Sequence, residues 1–283
     1  MTDPSGSLTV AAAQAAPTPG DVAANAILGA RLVAEGAERG ARIVVLPELF
    51  LSAYHPPTLR TAAVATTHVP ADVARVVDDA RLEPLREACR QAGAIAVVGA
   101  AVVHADGRRT CSALVVDADK PVAVAYDKQN LWGPDEKDLF TPGDRGATLT
   151  VDGWRLALGI CYDGCFPEHG RAGAVDGAHG YLCPSGYLAG SAHRRDLYYA
   201  ARALDNTMYV AFANSVGGAP PLRFNGGAAL YDPEGRTLAR AADDGEAVVT
   251  ATFDPAQLVQ TRAAHTMLLD RPRGPGESRH QLA

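Results

Sequence analysis

Apolar and polar positions along the chain predict β-strands and α-helices in turn, with hairpins between some of the strands. The continuously apolar run Ile43–Leu46 is typical of a strand that is covered on both faces. A helix is expected to begin after Asp21, which can cap it, and to end at Gly40. Asp152-Gly153, between two apolar runs, predicts a hairpin. The predicted class is therefore α/β, with either one mixed sheet or a pair of sheets.

The same alternation continues through the second half of the chain. Pro167 predicts the start of a helix, and Leu197 and Leu204 lie at helical spacing in a later one. Because no repeat or linker divides the sequence, we predict one domain over residues 1–269 and an extended tail over Asp270–Ala283. The remaining predicted strands are Leu8–Gln14, Ile95–Val103, Ala113–Val116, Val122–Tyr126, Leu149–Val151, Trp154–Ile160, 181–183, Tyr209–Ala213, Ala228–Tyr231 and Ala247–Phe253, and the remaining helices are Leu82–Gln91 and Pro255–Ala263.

Composition narrows the class of protein. Of 283 residues, 47% are hydrophobic and 20% are charged, which is ordinary globular usage. The net charge of −6 argues against a nucleic-acid partner, since phosphate contacts need a basic face. No apolar run approaches the length of a membrane span, so no membrane partner is expected. An odd count of five cysteines and the lack of a signal-like N-terminus predict a cytoplasmic protein without a disulfide framework.

Glu48 directly follows a buried strand that Pro47 ends. Open α/β sheets bind ligands at the carboxyl ends of their strands. Burial there would raise the pKa of the carboxyl group, which suits a general base or acid. The alternative interpretation is a surface glutamate at a strand exit.

Lys128 closes a second predicted strand, on the same face as Val122, Val124 and Tyr126 by the period of two. An ammonium at the end of this apolar stripe could stabilise negative charge that develops on an oxygen. The alternative is a lysine that buries its stem and keeps its charged end in water.

Cys161 ends a third predicted strand, with the small residues Ala157 and Gly159 on its own face. The helix predicted from Pro167 places the thiol in a strand–turn–helix setting that can expose a nucleophile. The alternative is a buried, inert cysteine. Taken together, a base, a cation and a thiol at three strand ends suit acyl transfer through a thioester.

The segments around Glu48, Lys128 and Cys161 resemble the three signature regions of the nitrilase superfamily of carbon–nitrogen hydrolases. With further matching segments, the resemblance runs from about Leu8 to Phe253. It implies a four-layer α-β-β-α sandwich with the site at the ends of the sheet strands, and no cofactor or metal. The matching segments are Val44–Phe50, Tyr126–Lys128 with Phe140–Gly143, Gly159–Asp163, Phe166–Glu168 with Arg171, Arg202–Asn206 and Tyr231–Gly235.

The resemblance also implies roles for the matching residues. Cys161 would attack the amide carbon, and Glu48 would take the thiol proton, deliver it to ammonia and then activate water. Lys128 would hold the oxyanion together with the backbone N–H of Tyr162.

Glu136 matches the second glutamate of the family, which helps to position the substrate. Asp135 and Asp138 are rival candidates for that place, and an acidic turn without function is the alternative. Because loops after catalytic strands carry specificity, four aromatic residues are candidates for substrate binding, with plain packing as the alternative. They are Tyr54, Trp132, Tyr162 and Tyr187.

The residues after the nucleophile favour one branch of the superfamily. Tyr162-Asp163 is closer to amidases and carbamoylases than to nitrilases, which usually carry Trp-Glu. Enzymes that act on N-carbamoyl-D-amino acids are expected to carry two arginines directly after the position of Asp163, where this chain has Gly164 and Cys165. We therefore expect a thiol amidase that acts on a small linear carboxamide. The alternatives are an N-carbamoyl amide hydrolase, which would also release carbon dioxide, and a non-catalytic scaffold of the same fold.

Further interpretations concern charge, metal and assembly. His193-Arg194-Arg195 begins a predicted helix and could meet an anionic substrate group, although a solvated helix start is the simpler interpretation. The resemblance implies a homodimer or higher homo-oligomer, and the composition of the tail is compatible with crossing to a partner. We predict no metal site from the four residues whose spacing departs from standard zinc motifs. They are Cys161, Cys165, His169 and Cys183.

Overall fold

The computed structural model describes residues 3–218 and 220–271. Its strands are β1 (Leu8–Ala15), β2 (Ile43–Val45), β3 (Val69–Ala71), β4 (Val76–Val77), β5 (Ile95–His104), β6 (Arg109–Val116), β7 (Val122–Asp127), β8 (Ala147–Val151), β9 (Trp154–Leu158), β10 (Gly180–Ser185), β11 (Tyr209–Gly217), β12 (Phe224–Asn225), β13 (Ala229–Tyr231), β14 (Thr237–Arg240) and β15 (Ala247–Phe253). Its helices are α1 (Val22–Glu38), α2 (Pro56–Thr61), α3 (Val64–Thr67), α4 (Glu83–Ala92), α5 (Gly133–Leu139), α6 (Pro167–Val175), α7 (Ala192–Asn206), α8 (Pro255–Ala264) and α9 (Met267–Asp270).

The strands form a mixed sheet whose main path is β4-β7-β6-β5-β2-β1-β11-β10-β9-β8. Its centre is parallel, because β1 pairs in parallel with β2 and β11, and β10 with β9 and β11. The strand pairs β5–β6, β6–β7 and β8–β9 are antiparallel, and β15 adds to β1 in the antiparallel sense. The predicted α/β class is confirmed.

Three apolar clusters surround this sheet. The first joins strands from both halves of the path, such as β5 through Val97 and β10 through Leu182. The second lies on the other face of β1, β2 and β5 and includes Leu32 of α1 and Leu85 of α4. The third lies beneath α6 and α7 and includes Ala203. The four-layer α-β-β-α arrangement of these elements stays a prediction.

Local signals in the sequence explain several element boundaries. The Asp21 side chain accepts a hydrogen bond from the backbone N–H of Ala24 at 2.9 Å and so caps α1. Gly40 follows that helix with a φ of +83°, which glycine adopts without strain. The hairpin predicted at Asp152-Gly153 joins β8 to β9. Short elements without a periodic pattern, α5 among them, are not predicted from the sequence.

The spacing of Leu197 and Leu204 correctly predicts helix α7, but both leucines lie on its solvent-exposed face. Leu197 is 67% exposed and Leu204 is 42% exposed. The buried face of α7 instead carries Arg195, Tyr199 and Ala203. The polar groups among these are tolerated in the interior because neighbouring oxygens and hydroxyl groups bond them.

A bulge in β7 overturns the predicted common face of Val122, Val124, Tyr126 and Lys128. Val124 pairs with Leu114 but Tyr126 pairs with Ala113, which leaves one residue of β7 extra between them. The extra residue reverses the alternation of side chains. Val122 and Val124 therefore pack beneath α1 and α4, whereas Tyr126 faces the cluster between the two halves of the sheet.

Of the predicted C-terminal tail, Asp270–Ala283, the structure describes only the first two residues. Asp270, predicted to begin an extended tail, is the last residue of helix α9, and residues 272–283 of that tail lie outside the described residues. Within residues 3–218 and 220–271, a helix with the length and hydrophobicity to cross a membrane is absent. The cytoplasmic location rests on the sequence alone.

Candidate active site

Glu48 leaves the end of β2 on a backbone that packs tightly against β5. A Cβ on Gly99 would lie 2.3 Å from the Pro47 carbonyl oxygen and 2.6 Å from the Glu48 Cα, so only glycine fits at that position. The Gly99 N–H donates to the Pro47 carbonyl at 3.1 Å. Leu49, the next residue, has a φ of +49°, a strained value for leucine. This packing aims a fully buried glutamate inward instead of toward solvent.

Lys128 follows the bulged strand β7, and its backbone is held from both sides. Its N–H donates to the Cys111 carbonyl at 2.9 Å, and its carbonyl accepts from the Gly143 N–H at 2.8 Å. A Cβ on Gly143 would lie 2.2 Å from the Asp127 carbonyl oxygen, which explains the glycine. The Lys128 side chain is fully buried, so the snorkelling alternative is wrong.

The Lys128 ammonium joins two carboxylates. Its Nζ donates to Glu48 Oε1 at 2.7 Å and to Glu136 Oε1 and Oε2 at 2.8 and 2.7 Å. All three N–H donors are thereby used. With both carboxylates ionised the cluster carries a net charge of −1. Because a net charge is costly in a buried site, ionisation of both carboxylates at once is disfavoured.

Glu136 lies on helix α5, the short element that apolar periodicity does not predict. Its Oε2 accepts from the Trp132 N–H at 2.8 Å, and its Oε1 accepts from the Tyr54 hydroxyl. The rivals Asp135 and Asp138 point outward and pair with Arg60 at 2.6 and 3.2 Å. Geometry therefore selects Glu136 as the second carboxylate of the cluster.

Burial sets the protonation of this cluster. Removal from water, together with the charge of Glu136, raises the pKa of Glu48 to about 7, although Lys128 lowers it. Burial opposes the charge on Lys128, but Glu136 and Glu48 raise its pKa well above the usual value. Glu48 can therefore exchange a proton near neutral pH while Lys128 keeps its charge.

Cys161, predicted to end a strand, instead opens a 3₁₀ turn, Cys161–Cys165, and is the third residue after the end of β9 at Leu158. Its φ of +44° is strained for a non-glycine residue, at a cost of about 1–3 kcal/mol. The buried Asp163 carboxylate holds the turn, because it accepts from the Ile160 N–H at 3.0 Å and from the Asn130 N–H at 2.9 Å. The Tyr199 hydroxyl donates to the Cys161 carbonyl at 3.0 Å. This strained turn presents the side chain as a nucleophile elbow does.

The Cys161 thiol lies beside the carboxylate cluster. It is among the groups that lower the pKa of Glu48, and Glu48 Oε2 is buried without a hydrogen-bond partner among the described residues. Burial and the charge of Glu48 raise the pKa of Cys161 well above the usual value. The resting group is therefore a thiol, which needs a base to become a nucleophile.

A second thiol near Glu48 is not anticipated from the sequence. Cys111 Sγ donates to Glu48 Oε1 at 3.6 Å. Cys111 is 1% exposed and packs in the cluster between the sheet halves, whereas Cys161 lines a cavity that opens to solvent. Accessibility therefore favours Cys161 over Cys111 as the candidate nucleophile.

The cavity above Cys161 has a volume of about 260 Å³. All four aromatic residues predicted for substrate binding line it, and Tyr54 also bonds Glu136. Ser191 and Arg194, at the start of α7, complete one side of the wall. The complete lining is Tyr54, Trp132, Glu136, Cys161, Tyr162, Cys165, Gly186, Tyr187, Leu188, Ala189, Ser191, Arg194 and Tyr198.

The residues considered as a zinc set have other partners. His169 bonds the hydroxyl groups of Tyr126 and Tyr181 at 2.9 and 3.0 Å. Cys183 contacts the Tyr199 hydroxyl at 3.4 Å. Among the described residues, no group of three or more His, Cys, Asp or Glu side chains is arranged to hold a metal ion.

Comparison with known proteins identifies the family. The sequence model of the carbon-nitrogen hydrolase family matches residues 9–263. A hydrolase of the pqqF 5′ region in Pseudomonas protegens is 30% identical over 265 residues, covering 93% of this chain and 89% of that protein. An (R)-stereoselective amidase of Pseudomonas sp. is 35% identical over 232 residues, covering 81% and 79%. The chain therefore belongs to the carbon–nitrogen hydrolases, in the amidase-like branch of the nitrilase superfamily.

Solved structures support the same assignment. The fold is similar to that of the amidase from Nesterenkonia sp. AN1, with a TM-score of 0.80 and 27% identity over 96% of this chain and 97% of that one. That structure is a double mutant in complex with acrylamide. A structure of a glutamate-to-glutamine mutant of the same amidase, at a TM-score of 0.78, shows covalent addition of the acetamide moiety of fluoroacetamide at the active-site cysteine.

Proposed function

We propose that this protein hydrolyses a small, linear carboxamide to the carboxylic acid and ammonia. The observation that carries the proposal is the joining of Glu48, Lys128 and Glu136 at 2.7–2.8 Å beside the Cys161 thiol, at one cavity. A cavity of about 260 Å³ suits a small substrate. The acrylamide complex of the similar amidase supports an amide as the substrate class.

In the first half of the reaction, Cys161 Sγ attacks the amide carbon while Glu48 takes the thiol proton. Protonation weakens Glu48 Oε1 as an acceptor, so the Lys128 N–H that it held can turn to the oxyanion that forms in the same step. The backbone N–H of Tyr162 is the second donor in this proposal. When the C–N bond breaks, Glu48 delivers its proton to the leaving nitrogen, and ammonia departs from a thioester.

In the second half, water takes the place of ammonia. Glu48, again ionised, removes a proton from water as the oxygen attacks the thioester carbon. The C–S bond then breaks, and the proton returns to the Cys161 sulfur. Glu136 keeps Lys128 charged and in place through both halves, because it bonds the ammonium through two oxygens.

A substrate panel tests this function. The purified protein is incubated with linear amides, the corresponding nitriles and N-carbamoyl compounds, and both ammonia and carbon dioxide are measured. We expect ammonia from the amides without carbon dioxide. Stoichiometric carbon dioxide from the N-carbamoyl compounds alone would make the protein a carbamoyl hydrolase. Hydroxylamine in the assay detects transfer to an acceptor other than water, because the product is then a hydroxamate.

The pH dependence should follow Glu48, whose pKa of about 7 is raised by burial and by the charge of Glu136. Protonated Glu48 cannot accept the thiol proton, so kcat/KM of the wild type should fall about tenfold per pH unit below pH 7. Glu136→Gln removes a charge that raises this pKa, so the acid limb of its profile should move to lower pH. An acid limb that stays in place or moves upward in Glu136→Gln would contradict the assignment.

We also propose that the chain pairs into a homodimer through the outer faces of α6, α7 and α9. Soluble proteins seldom expose contiguous apolar surface without a partner. Both α6 and α9 contact α7, and each of the three helices carries exposed apolar side chains. They are Val175, Leu197, Leu204, Met267 and Leu269.

A charge on this face should separate the protomers. Leu197→Glu places a carboxylate where Leu197 is 67% exposed in the single chain, so the fold should survive while the dimer dissociates. Sedimentation velocity at micromolar concentration reports the mass. The control is Ile27→Glu on α1, where the side chain is 60% exposed on another helix layer. A wild-type monomer, or a dimer that persists in Leu197→Glu, would refute this interface.

A further inference from the structure

Two neighbouring arginines at the start of α7 have opposite environments. Arg195 is fully buried, and its guanidinium donates to Asn225 Oδ1 at 2.9 Å, to the Gly226 carbonyl at 2.7 Å and to Asp243 at 3.0 Å. It ties α7 to the loop before β13. Arg194 is exposed, and its guanidinium has no hydrogen bond or ion pair with any residue that the structure describes.

Arg194 borders the same cavity as the Cys161 nucleophile. Its charge acts on a neighbouring residue of the cavity wall, because it is one of the cations that oppose the rise in the pKa of Cys165. The next acid along the chain, Asp196, does not neutralise it. Asp196 is held by Arg195 at 2.8 Å and by Arg240 at 2.7 Å.

The remainder of the cavity wall carries no second Lys or Arg that would compete with Arg194 for an anionic group. Glu136, the other charged lining residue, is an anion that accepts from Lys128 Nζ at 2.7 Å. The same wall includes Tyr187, Leu188 and Tyr198, which are suited to the methylene groups of a chain. A substrate that fills the cavity thus has its reacting carbon at Cys161 and its far end near an unpaired guanidinium.

We infer that the substrate is a short aliphatic monoamide with a carboxylate at the end opposite the amide, and that Arg194 binds this carboxylate. This inference rests on the proposed amidase function and adds the substrate class. Guanidinium groups favour carboxylates because two parallel N–H donors match two oxygens. Arg194 is then a specificity-determining residue, since it meets the end of the substrate that does not react.

The test compares amides of equal length with and without the terminal charge. Succinamate, glutaramate and adipamate are assayed beside butyramide, valeramide and hexanamide, and the ratio of kcat/KM within each pair is the readout. We expect kcat/KM for at least one charged amide to be about tenfold higher than for its neutral partner. One charge-assisted hydrogen bond contributes enough binding free energy for a difference of this size. Arg194→Gln should abolish that preference through KM and leave the neutral amides within about twofold.

Two variants sharpen the result. Arg194→Lys keeps the positive charge and should therefore retain part of the preference for charged amides. If Arg194 had only a structural role, restoring the charge with lysine would not restore the preference. Arg90→Gln, which removes a surface arginine on α4, should leave every ratio unchanged. A wild type without preference for any charged amide, or a preference that persists in Arg194→Gln, overturns the inference while amidase activity stands. If the wild type hydrolyses neither series, the proposed function itself has failed.

Discussion

Replacing Cys161 with alanine should lower kcat more than about 10³-fold, because no thioester can form without the sulfur. The fold should remain, since the strained turn at Cys161 is held by groups that the substitution leaves in place. Asp163 bonds the Ile160 N–H, and Tyr199 bonds the Cys161 carbonyl. Alanine is smaller than cysteine and creates no clash at this site. The melting temperature should therefore stay close to that of the wild type.

Two other thiols require a control, because Cys165 lines the same cavity and Cys111 contacts Glu48. Fluoroacetamide, whose acetamide moiety is added to the active-site cysteine in a glutamate-to-glutamine mutant of the similar amidase, provides the probe. Mass spectrometry of peptides should find the adduct on Cys161 in the wild type and nowhere in Cys161→Ala. Cys89→Ala, a substitution in α4 away from the cavity, should behave as the wild type does. Residual turnover above about one part in a thousand in Cys161→Ala would require another nucleophile.

The same experiment decides between an enzyme and a scaffold. A scaffold of this fold would carry no adduct on Cys161 and release no ammonia. Against that alternative, Lys128 is fully buried between two carboxylates, an arrangement with a high desolvation cost. Substituting well-packed apolar groups for a buried ion pair is often neutral or stabilising. A charged cluster at the floor of an open cavity therefore favours a catalytic role.

Local sequence predicts the parts of the site that depend on strand ends. The apolar run before Pro47 locates the end of β2 and hence Glu48, and small residues before Cys161 mark a place where a thiol has room. Both predictions depend only on the apolar pattern of a strand and on the residue at which that pattern ends. The resemblance to the superfamily then adds Glu136, which lies on a helix that has no apolar period of its own.

Side-chain direction and partners depend on contacts that a single sequence does not encode. One bulge in β7 reverses the face of Tyr126 relative to Val124, and alternation alone gives no sign of it. The bond from Tyr54 to Glu136 joins residues 82 positions apart. Likewise, Arg194 and Arg195 are equivalent in sequence, and only the packing of α7 buries one and leaves the other at the cavity.

Replacing Glu48 with glutamine should lower kcat by about 10²–10⁴-fold, the usual contribution of general acid–base catalysis. The amide has nearly the shape of the carboxyl group, but it cannot take the Cys161 proton or return it to the leaving nitrogen. It also cannot activate water, so both halves of the reaction are impaired. Lys128 loses the carboxylate that bonds it at 2.7 Å but keeps two bonds to Glu136.

The shape of the pH profile separates loss of a base from loss of structure. The residual kcat/KM of Glu48→Gln should no longer show the acid limb near pH 7, because the group that titrates there is gone. A variant that is slow only because the site is distorted would keep that limb at reduced height. Glu38→Gln, at the exposed end of α1, is the matched control and should keep both rate and profile. A rate near wild type in Glu48→Gln would mean that the Cys161 proton goes to another base.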